Sequence, residues 1–578
     1  MLCFSKATNN YDSYWKIRFF LMTAKTYIPF DVELLPAKKL RTSSLSCLYE
    51  NGSLRNIKKD NFEIIRMFYT AVRLDNWDTA SHEIENEQIE QNENVFFITY
   101  TARYYLSTTL LYKADITIEG NDDVISFSMK GKGHINFMSN RIGICTLLPA
   151  KECKGRKVQI SDVSEKINEY AFPFLINPSQ PFYHLKGMEW SGKNANIKLE
   201  FEGDIFEAED QRNWMDDTFK IYSRPLSLPF PFQVNEGEAL NQKVTLKISS
   251  DENNQKEYIP KKKTVFSKKP IPSIGYASPD GIQELTEEEI YFFNQIPFNH
   301  YRIELHFTKS WKADLEKIFG NAEKLNTKLE IVAFFTENFT EETDELKIFV
   351  HSRSKLISSI LLLHKNYKTT PVELQHYAYP LLKKAFPFIS VGYGTDCYFA
   401  ELNRNRPATN EYDFLSFSIN PQVHAFDTRS LVENLNSLED MIETIHSFSD
   451  KPIYISPVTF KKRKNHEAKA DKWNELLNDY DSRQHTCFGS SWFLLCLYHL
   501  RKVEKITFFK TLGDSGIIAS DHQITPIYKT LMQLKSFNPD KISKIITDSK
   551  IEIVFGNEKS EELIFTLSPK FGHNRFHF

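Results

Sequence analysis

The sequence lacks the features that mark membrane-spanning, zinc-binding and nucleic-acid-binding proteins. No apolar run among its 578 residues reaches the roughly 18 residues that a membrane-spanning helix needs. A formal net charge of −3 gives no basic face for nucleic acid. The cysteines form no CxxC pair and no zinc spacing, which predicts reduced thiols in a cytoplasmic protein. They are Cys3, Cys47, Cys145, Cys153, Cys397, Cys487 and Cys496.

The amino terminus carries an apolar run over residues 17–22 that is too short for a signal-peptide core. No small-residue cleavage site follows it. The sequence from Met22, MTAKTYIPFDVELLPAKKL, is typical of the start of a domain. We therefore expect translation to begin at Met22 and residues 1–21 to be an extension without a fold.

Strand-like patterns dominate residues 22–255. Segments such as VFFITYTARYYL and VISFSMKG place β-branched and aromatic residues at short spacing between turn-forming dipeptides. Several short strands separated by turns predict an antiparallel β-sandwich. The lysine-rich stretch 256–269 predicts a connector between domains.

The pattern changes over residues 270–537, where eight apolar runs of strand length alternate with amphipathic helical stretches. The series begins with SIGYAS and LTEEEIYFFNQI and ends with KITFFKTL and TPIYKTLMQLKSF. Eight such units predict a (β/α)8 TIM-type barrel. A doubly wound open sheet is the alternative, but no Gly-rich dinucleotide turn supports it. KIEIVFG and ELIFTLS within residues 538–578 predict a small carboxyl-terminal β unit, which makes the chain a multidomain α/β plus β protein.

The segment EAEDQRNWMDDTFKIYSRPLSLPFPF, residues 207–232, has neither the alternation of a strand nor the apolar stripe of a helix. Because it is costly to desolvate, it either lies in solvent or organises a polar site. Trp214, Phe219 and Tyr222 offer area to bury, and three prolines restrict the backbone. We predict a polar site here; a structural linker at a sheet edge is the alternative.

Two adjacent loops of the predicted barrel are rich in acids, amides and imidazole. They are residues 395–407, TDCYFAELNRNRP, and 418–427, SINPQVHAFD, after the fifth and sixth strands. Active sites of such barrels lie at the carboxyl ends of the strands, where the second strand also ends on Glu304 and His306 and the eighth on Lys510. A surface ion pair of Glu401 with Arg404, a loop role for His424 and a turn role for Asn420 are the structural alternatives.

Common catalytic motifs are missing. The chain has no GxSxG elbow, HExxH, P-loop or Rossmann fingerprint. The fourth and seventh strands end in LLLHKN and YISPVTF, without the carboxylate pair of glycoside hydrolases built on such barrels. A sandwich joined to a barrel suggests carbohydrate-like ligands by analogy only. The basic stretch 461–464, KKRK, predicts a solvated turn.

Three long motifs of unusual composition resemble the D-apionate lactonase family of bacterial apiose catabolism. They are the polar segment 207–232, AELNRNRP and FSINPQVHAFD, and the likeness covers most of the chain. The resemblance implies hydrolysis of D-apionolactone, a branched sugar lactone, to D-apionate, without a redox cofactor. We expect a small sugar lactone as the partner, no cofactor and no metal, and neither nucleic acid nor membrane.

The family's motifs fall on named positions of this chain, with two departures. Lys510 stands where members tend to carry an acidic residue, and WMDD stands where a WTDAS-like run is more usual. The matching positions are Glu207, Glu209, Asp210, Gln211, Arg212, Asn213, Trp214, Glu401, Asn403, Arg404, Arg406, Asn420, Gln422, His424 and Asp427.

Lactone opening needs a base for water, donors for the oxyanion and an acid for the ring oxygen. We expect Glu401 to be the base and His424 the acid or a second base. A metal-assisted route through His306, Glu304, His424 and Asp427 matches no ligand spacing. Substrate contacts are expected from Asp210, Arg212, Asn213, Trp214, Asn403, Arg404, Asn420, His306 and Lys510.

Two other classes of function stay open. One is a glycoside hydrolase with an unusual acid pair drawn from Glu401, Asp210 and Glu304, which release of reducing sugar would favour. The other is an inactive carbohydrate-binding descendant, suggested by Lys510, which saturable lactone binding without turnover would favour.

Overall fold

The computed structural model describes residues 25–250 without 61 and 194, and then 271–466, 473–546, 550–568, 570–571 and 574–575. The predictions for residues 1–21, for the start at Met22 and for the connector 256–269 lie outside these residues. The described chain contains a large antiparallel sheet, a closed parallel barrel and a small carboxyl-terminal sheet. The predicted fold class is therefore confirmed.

The amino-terminal sheet has seventeen antiparallel strands and folds back on itself as a sandwich. Along Val95–Leu106 and Thr109–Asn121 nearly every second side chain is buried, as expected for strands with one face on a core. The strands of this region, of which the first pairs elsewhere, are β1 (Lys25–Pro29), β2 (Lys38–Arg41), β3 (Leu45–Glu50), β4 (Ser53–Lys59), β5 (Phe62–Leu74), β6 (Ser81–Gln91), β7 (Val95–Leu106), β8 (Thr109–Asn121), β9 (Val124–Gly133), β10 (Phe137–Pro149), β11 (Lys157–Asp162), β12 (Ile167–Ala171), β13 (Phe182–Gly192), β14 (Ala195–Glu202), β15 (Phe206–Asp210), β16 (Thr218–Tyr222), β17 (Phe232–Val234) and β18 (Ala239–Ser250). A short helix, α1 (Ala150–Cys153), follows β10.

The central part is a barrel of eight parallel strands, which closes because the first strand pairs with both the second and the eighth. All eight runs predicted from the sequence coincide with these strands. The strands, followed by a short ninth that extends the sheet, are β19 (Ser273–Ala277), β20 (His300–His306), β21 (Lys328–Phe335), β22 (Ile357–His364), β23 (Ser390–Gly394), β24 (Phe414–Ile419), β25 (Ile453–Val458), β26 (Lys505–Leu512) and β27 (Gly516–Ile518).

Helices follow the barrel strands, and their starts are marked in the sequence. Thr286 and Glu289 form a reciprocal capping box at the first, and Thr525 caps the last, which has Pro526 in its first turn. Residues 395–407, expected as a loop, contain one short helix. The helices are α2 (Glu287–Phe293), α3 (Trp311–Lys324), α4 (Phe339–Phe349), α5 (Val372–Ala385), α6 (Phe399–Arg404), α7 (Thr428–Glu433), α8 (Ser437–His446), α9 (Cys487–His499) and α10 (Pro526–Phe537). None of the helices in the described ranges is long and apolar enough to span a bilayer.

The carboxyl-terminal sheet takes one strand from the beginning of the described chain. Its own strands are β28 (Lys541–Ile546), β29 (Ile551–Gly556) and β30 (Glu562–Ser568), and β1 pairs in parallel with β30. Just after β1, the Asp31 carboxylate accepts hydrogen bonds from the first backbone N–H groups of α9, at 3.0 Å from Cys487 and 2.9 Å from Phe488. A two-stranded ribbon, Lys570–Phe571 with Asn574–Arg575, lies beyond it.

Buried ion pairs join the sandwich to the carboxyl-end loops of the barrel. Arg55 of β4 contacts Asp427 at 2.7 Å and Glu433 at 3.2 Å, on the segment that follows β24. Glu50 of β3 accepts from Arg55 and from Arg429 of α7, both at 3.1 Å. This contact brings the segment 207–232 against the barrel loop 418–427.

Candidate active site

The polar segment forms a tight turn that presents two side chains to the barrel. The 3₁₀ turn Gln211–Trp214 lies between β15 and β16, and the Asp210 carboxylate caps it by accepting from the Arg212 backbone N–H. Met215 ends the turn in the left-handed region, with φ of 75°. Trp214 and Asp216, on either side of Met215, reach the loop that follows β24.

An aspartate of the sandwich and a histidine of the barrel form a dyad. His424 Nδ1 lies 2.7 Å from Asp216 Oδ2, and Asn434 Nδ2 donates to Asp216 Oδ1 at 2.9 Å. Because an ionised carboxylate only accepts, the proton of a neutral His424 lies on Nδ1, and Nε2 is left to accept a proton. The His424 side chain is 19% exposed and the Asp216 side chain 6%, so the histidine faces the surface and its orienting acid is buried.

Trp214 packs against the histidine of the dyad. Its ring packs edge-to-face on His424 with centroids 5.6 Å apart, and the Arg404 guanidinium lies 5.1 Å from the indole centroid. Arg404 Nε also donates to the carbonyl of Pro178 at 3.1 Å. The predicted residues Trp214, His424 and Arg404 therefore meet at one place.

A charged sheet face lies beside the dyad. Glu209 of β15 and Lys220 of β16 are paired in register and form an ion pair of 3.2 Å. Burial alone would raise the pKa of Glu209, but the charges of Lys220 and His424 outweigh it and lower that pKa. Tyr69 of β5 lies on the same face, near enough to Asp216 that the aspartate adds to the effect of burial and raises the pKa of the phenol.

Arg212, expected to contact substrate, lies wholly between the two domains. Its Nε and Nη2 hold the two oxygens of Asp210 at 2.8 and 2.7 Å, and its Nη1 holds Asp440 of α8 at 2.8 Å. The remaining N–H groups donate to the carbonyls of Phe174 and Pro173. All five donors are used and the side chain is fully buried, so neither Arg212 nor Asp210 has a group to offer a ligand.

The amide residues of the prediction are also engaged within the protein. Asn213 Nδ2 donates to the carbonyls of Asn177 and Asp210, and its Oδ1 accepts from Asn403 at 3.0 Å. Asn420 is 4% exposed and its Oδ1 accepts from the backbone N–H of Gln422. These contacts fasten the polar segment to α6 and shape the loop after β24.

Glu401, the predicted base, lies on α6 at the barrel mouth. Its side chain is 21% exposed, and its carboxylate is 3.8 Å from Lys368 Nζ. At that distance the contact is a loose ion pair rather than a hydrogen bond. Glu401 is accessible, but its contact with Lys368 is looser than the 2.7 Å hydrogen bond that orients His424.

A buried cluster of five charges fills the carboxyl end of the barrel. Asp396, just after β23, accepts from Arg302, Arg463 and Lys464 at 2.6 Å each. Glu304 of β20 accepts from the same three cations, at 3.0 Å from Arg302 and 2.8 Å from Lys464. Burial favours a neutral Asp396, yet Arg463 and Lys464 lower its pKa, which favours the ionised carboxylate.

The prediction of a solvated turn at 461–464 is wrong for its last two residues. Arg463 is 8% exposed and Lys464 only 1%, because both cations turn inward to the two buried carboxylates. Lys464 Nζ also lies 4.6 Å from the centroid of the Phe334 ring. The sequence suggested a solvated turn because the carboxylates that pair with these basic residues lie far away along the chain.

His306 and Lys510 lie at the barrel mouth in separate surroundings. The His306 ring stacks on Phe334 with centroids 4.6 Å apart, and the side chain is 45% exposed. Lys510 is paired with Asp280 at 2.7 Å and with Asp479 at 3.0 Å. His306 belongs to the barrel surface, whereas Lys510 is 6% exposed and is neutralised by the two aspartates.

The four residues considered for a metal-assisted route do not meet at one place. Asp427 caps α7 and pairs with Arg55, while His424 pairs with Asp216. Within the described ranges no group of three or more His, Cys, Asp or Glu side chains has a geometry that could hold a metal ion.

Sequence reasoning missed Asp216, Lys220 and Asn434. Asp216 belongs to the WMDD run and Lys220 to the same polar segment, 207–232, so the sequence signal included both residues without assigning them a role. Their partners decide their roles, and those partners come from strands and helices far along the chain. Only the pairing of β15 with β16 and the docking of the two domains bring them together.

The comparisons with known proteins agree with this architecture. The family model of the D-apionate lactonase N-terminal domain matches residues 29–251, and that of its TIM barrel domain matches residues 274–538. A D-apionate lactonase of Brucella anthropi is 25% identical over 568 residues, covering 89% of this chain and 92% of that protein.

Two solved glycosidases align with low structural scores. A β-arabinopyranosidase is 8% identical, with 92% of this chain and 96% of that one covered and a TM-score of 0.30. A family 51 α-L-arabinofuranosidase from Bifidobacterium longum is 11% identical, with 53% and 84% covered and a TM-score of 0.39. Neither score carries an argument about function. The two family models together match most of the chain, and the chain belongs to the D-apionate lactonase family.

Proposed function

We propose that the protein hydrolyses a sugar lactone, D-apionolactone, to the open hydroxy acid D-apionate. The observation that carries the proposal is the Asp216–His424 hydrogen bond of 2.7 Å. It fixes the imidazole in the tautomer that a general base needs, and the aspartate stabilises the imidazolium that forms. The family membership and the likeness to the lactonase of Brucella anthropi support the choice of substrate.

In the proposed reaction His424 Nε2 takes a proton from water as the water oxygen attacks the lactone carbonyl carbon. The carbonyl π electrons move to oxygen, which becomes an oxyanion. On collapse, the bond between the carbonyl carbon and the ring oxygen breaks, and the imidazolium returns its proton to the departing alkoxide. The Arg404 guanidinium, beside the same indole as His424, is the proposed oxyanion donor.

Glu401 remains the second candidate for the base, because it is accessible and lies on the same short helix as Arg404. His424 is preferred because a carboxylate orients it, whereas Glu401 has a loose contact with Lys368. The two assignments predict different mutant phenotypes.

The test is acid release on D-apionolactone beside ordinary aldonolactones, followed with a pH indicator, with and without chelator. The expected result is chelator-insensitive turnover of the branched lactone that is lost in His424→Gln. If the wild-type protein hydrolyses the lactone no faster than it hydrolyses spontaneously, the proposal is overturned. Release of reducing sugar from a glycoside would instead favour a glycoside hydrolase, and saturable lactone binding without turnover an inactive descendant.

A further inference from the structure

The sandwich carries a buried arginine whose bidentate donor edge is unused. Arg141 of β10 is 6% exposed, and its guanidinium carbon lies 5.3 Å from Trp77, 5.6 Å from Tyr222 and 5.2 Å from Phe230, measured to the ring centroids. Its Nη1 donates to the carbonyl of Asn140. Its Nε and Nη2 make no hydrogen bond of normal geometry among the residues that the structure describes, although burial lowers the pKa of Arg141 and the nearby Tyr222 hydroxyl opposes that lowering.

Nε and Nη2 point from the same side of the planar guanidinium, the side that binds two oxygen atoms at once. Arg212 in the same domain uses this edge on both oxygens of Asp210. Leaving such donors buried without a partner is costly, so the same edge of Arg141 points to a ligand that supplies two oxygens.

An unused acceptor lies beside the unused donors. Glu207 of β15 is fully buried; its Oε1 accepts from the Tyr222 hydroxyl and from the Leu226 backbone N–H, both at 2.6 Å. Its Oε2 has no partner in the described part of the chain. Tyr222 connects the two groups, because its ring lies under Arg141 and its hydroxyl binds Glu207.

This combination suits a neutral ring with adjacent hydroxyl groups. Each hydroxyl both donates and accepts, which matches a free guanidinium edge beside a free carboxylate oxygen. The aromatic rings around Arg141 give a flat apolar wall for the C–H face of such a ring. A carboxylate ligand fits less well, because Glu207 and Glu209 already place two acids near Arg141.

Glu207 and Glu209, which lead from Arg141 towards the dyad, lie along one face of the sheet. Glu207 and Glu209 are two residues apart on β15 and therefore point to the same side, as do Lys220 and Tyr222 on β16. Glu209 is close enough to His424 for the two charges to interact. A ligand bound at Arg141 therefore extends towards the histidine.

We propose that Arg141 and Glu207 bind the hydroxyl groups of a neutral hydroxylated ring. The inference rests on the proposed function, since the ring is that of the lactone opened at His424. It makes the pair the determinant of preference for hydroxylated over unsubstituted lactones. Phe230, which covers Arg141 and is 44% exposed, turns away as the ring enters.

The first test compares Arg141→Gln and Glu207→Gln with wild type on D-apionolactone and on γ-butyrolactone, which has no hydroxyl group. We expect each variant to lose about 100-fold in kcat/KM on the hydroxylated lactone, mainly through KM, and to change less than about threefold on γ-butyrolactone. Arg103→Gln, at an exposed ion pair on β7, is the matched control. Equal losses on both lactones, or no loss on either, would overturn the inference.

The second test measures binding without turnover. Calorimetry with 1,4-anhydroerythritol, a neutral five-membered ring with two hydroxyl groups and no ester, should give saturable binding to wild type and none to Arg141→Gln. Unchanged binding in the variant, or no binding to wild type, contradicts the inference. If the diol binds and needs Arg141 but no lactone is turned over, only the proposed function is contradicted. If the lactone is turned over equally well without Arg141, only the inference is contradicted.

Discussion

Asp216 and His424 are 208 positions apart and belong to different domains, yet their side chains share a hydrogen bond of 2.7 Å. The dyad is complete only when the sandwich is docked on the barrel, because neither domain supplies both groups. The buried pairs made by Arg55 and Arg212 maintain that docking. In the proposed mechanism, catalysis and domain packing therefore depend on the same polar segment.

The dyad predicts a large loss of activity for Asp216→Asn. An amide in place of the carboxylate donates to Nδ1 and moves the histidine proton to Nε2, where it blocks proton uptake. We expect kcat on D-apionolactone to fall on the order of 100-fold or more. Asp217→Asn, the same change one residue further on, is the control, and turnover of Asp216→Asn within threefold of wild type would remove the dyad from the mechanism.

Two glutamine variants distinguish the two candidate bases by their effect on kcat. His424→Gln is expected to lose about 100-fold or more in kcat, because it removes the imidazole that Asp216 orients beside Trp214. Glu401→Gln is expected to stay within about threefold of wild type, because its carboxylate makes a loose contact of 3.8 Å with Lys368. The reverse ranking of the two kcat values would transfer the role of base to Glu401.

Arg212 is expected to matter for stability rather than for substrate binding. Arg212→Ala leaves Asp210 buried without its cation and Asp440 with Lys154 alone, which costs on the order of 3–5 kcal/mol of unfolding free energy. Thermal or urea unfolding measures the loss, and Arg103→Ala at an exposed pair is the control. A melting temperature equal to that of the control would show that the interdomain cluster contributes little.

The barrel was predictable because its signals are local. Each strand is a short apolar run followed by a helical stretch, and every run named from the sequence became a barrel strand. The pairing of β1 with β30 is not local, since it joins segments more than 500 positions apart, and the sandwich order also contains distant pairings such as β5 with β10 and β9 with β18. Periodicity gives the existence of such strands but not their partners.

The site was predictable in part, for a related reason. Trp214, Arg404 and His424 were selected as polar or aromatic residues in unusual surroundings, and they do converge. Asp210, Arg212, Asn213 and Asn403 looked the same in the sequence, but they form a buried contact between domains. A segment that is costly to desolvate can be satisfied by another domain of the same chain, and sequence composition does not distinguish that case from a ligand site.

Asp217, next to the dyad, gives a prediction for stability against pH. Burial raises the pKa of this carboxyl from 3.8 to about 7 in the folded protein, although Arg66 opposes the shift. The folded state therefore holds the proton more tightly than the unfolded state, and the stability that Asp217 contributes below pH 4 is lost as the pH rises to about 7. Asp217→Asn removes this loss, because the amide does not titrate.

The free energy of unfolding of Asp217→Asn relative to wild type is thus expected to rise with pH, by up to about 1.4 kcal/mol per unit between pH 4 and 7, and to level off above. Urea unfolding of both proteins at pH 5 and pH 8 measures the difference, and Asp450→Asn at an exposed position is the control. A difference that is the same at both values would mean that Asp217 is ionised in the folded protein throughout this range. The charge beside the dyad would then be permanent, held by Arg66 and Asn436 rather than relieved by protonation.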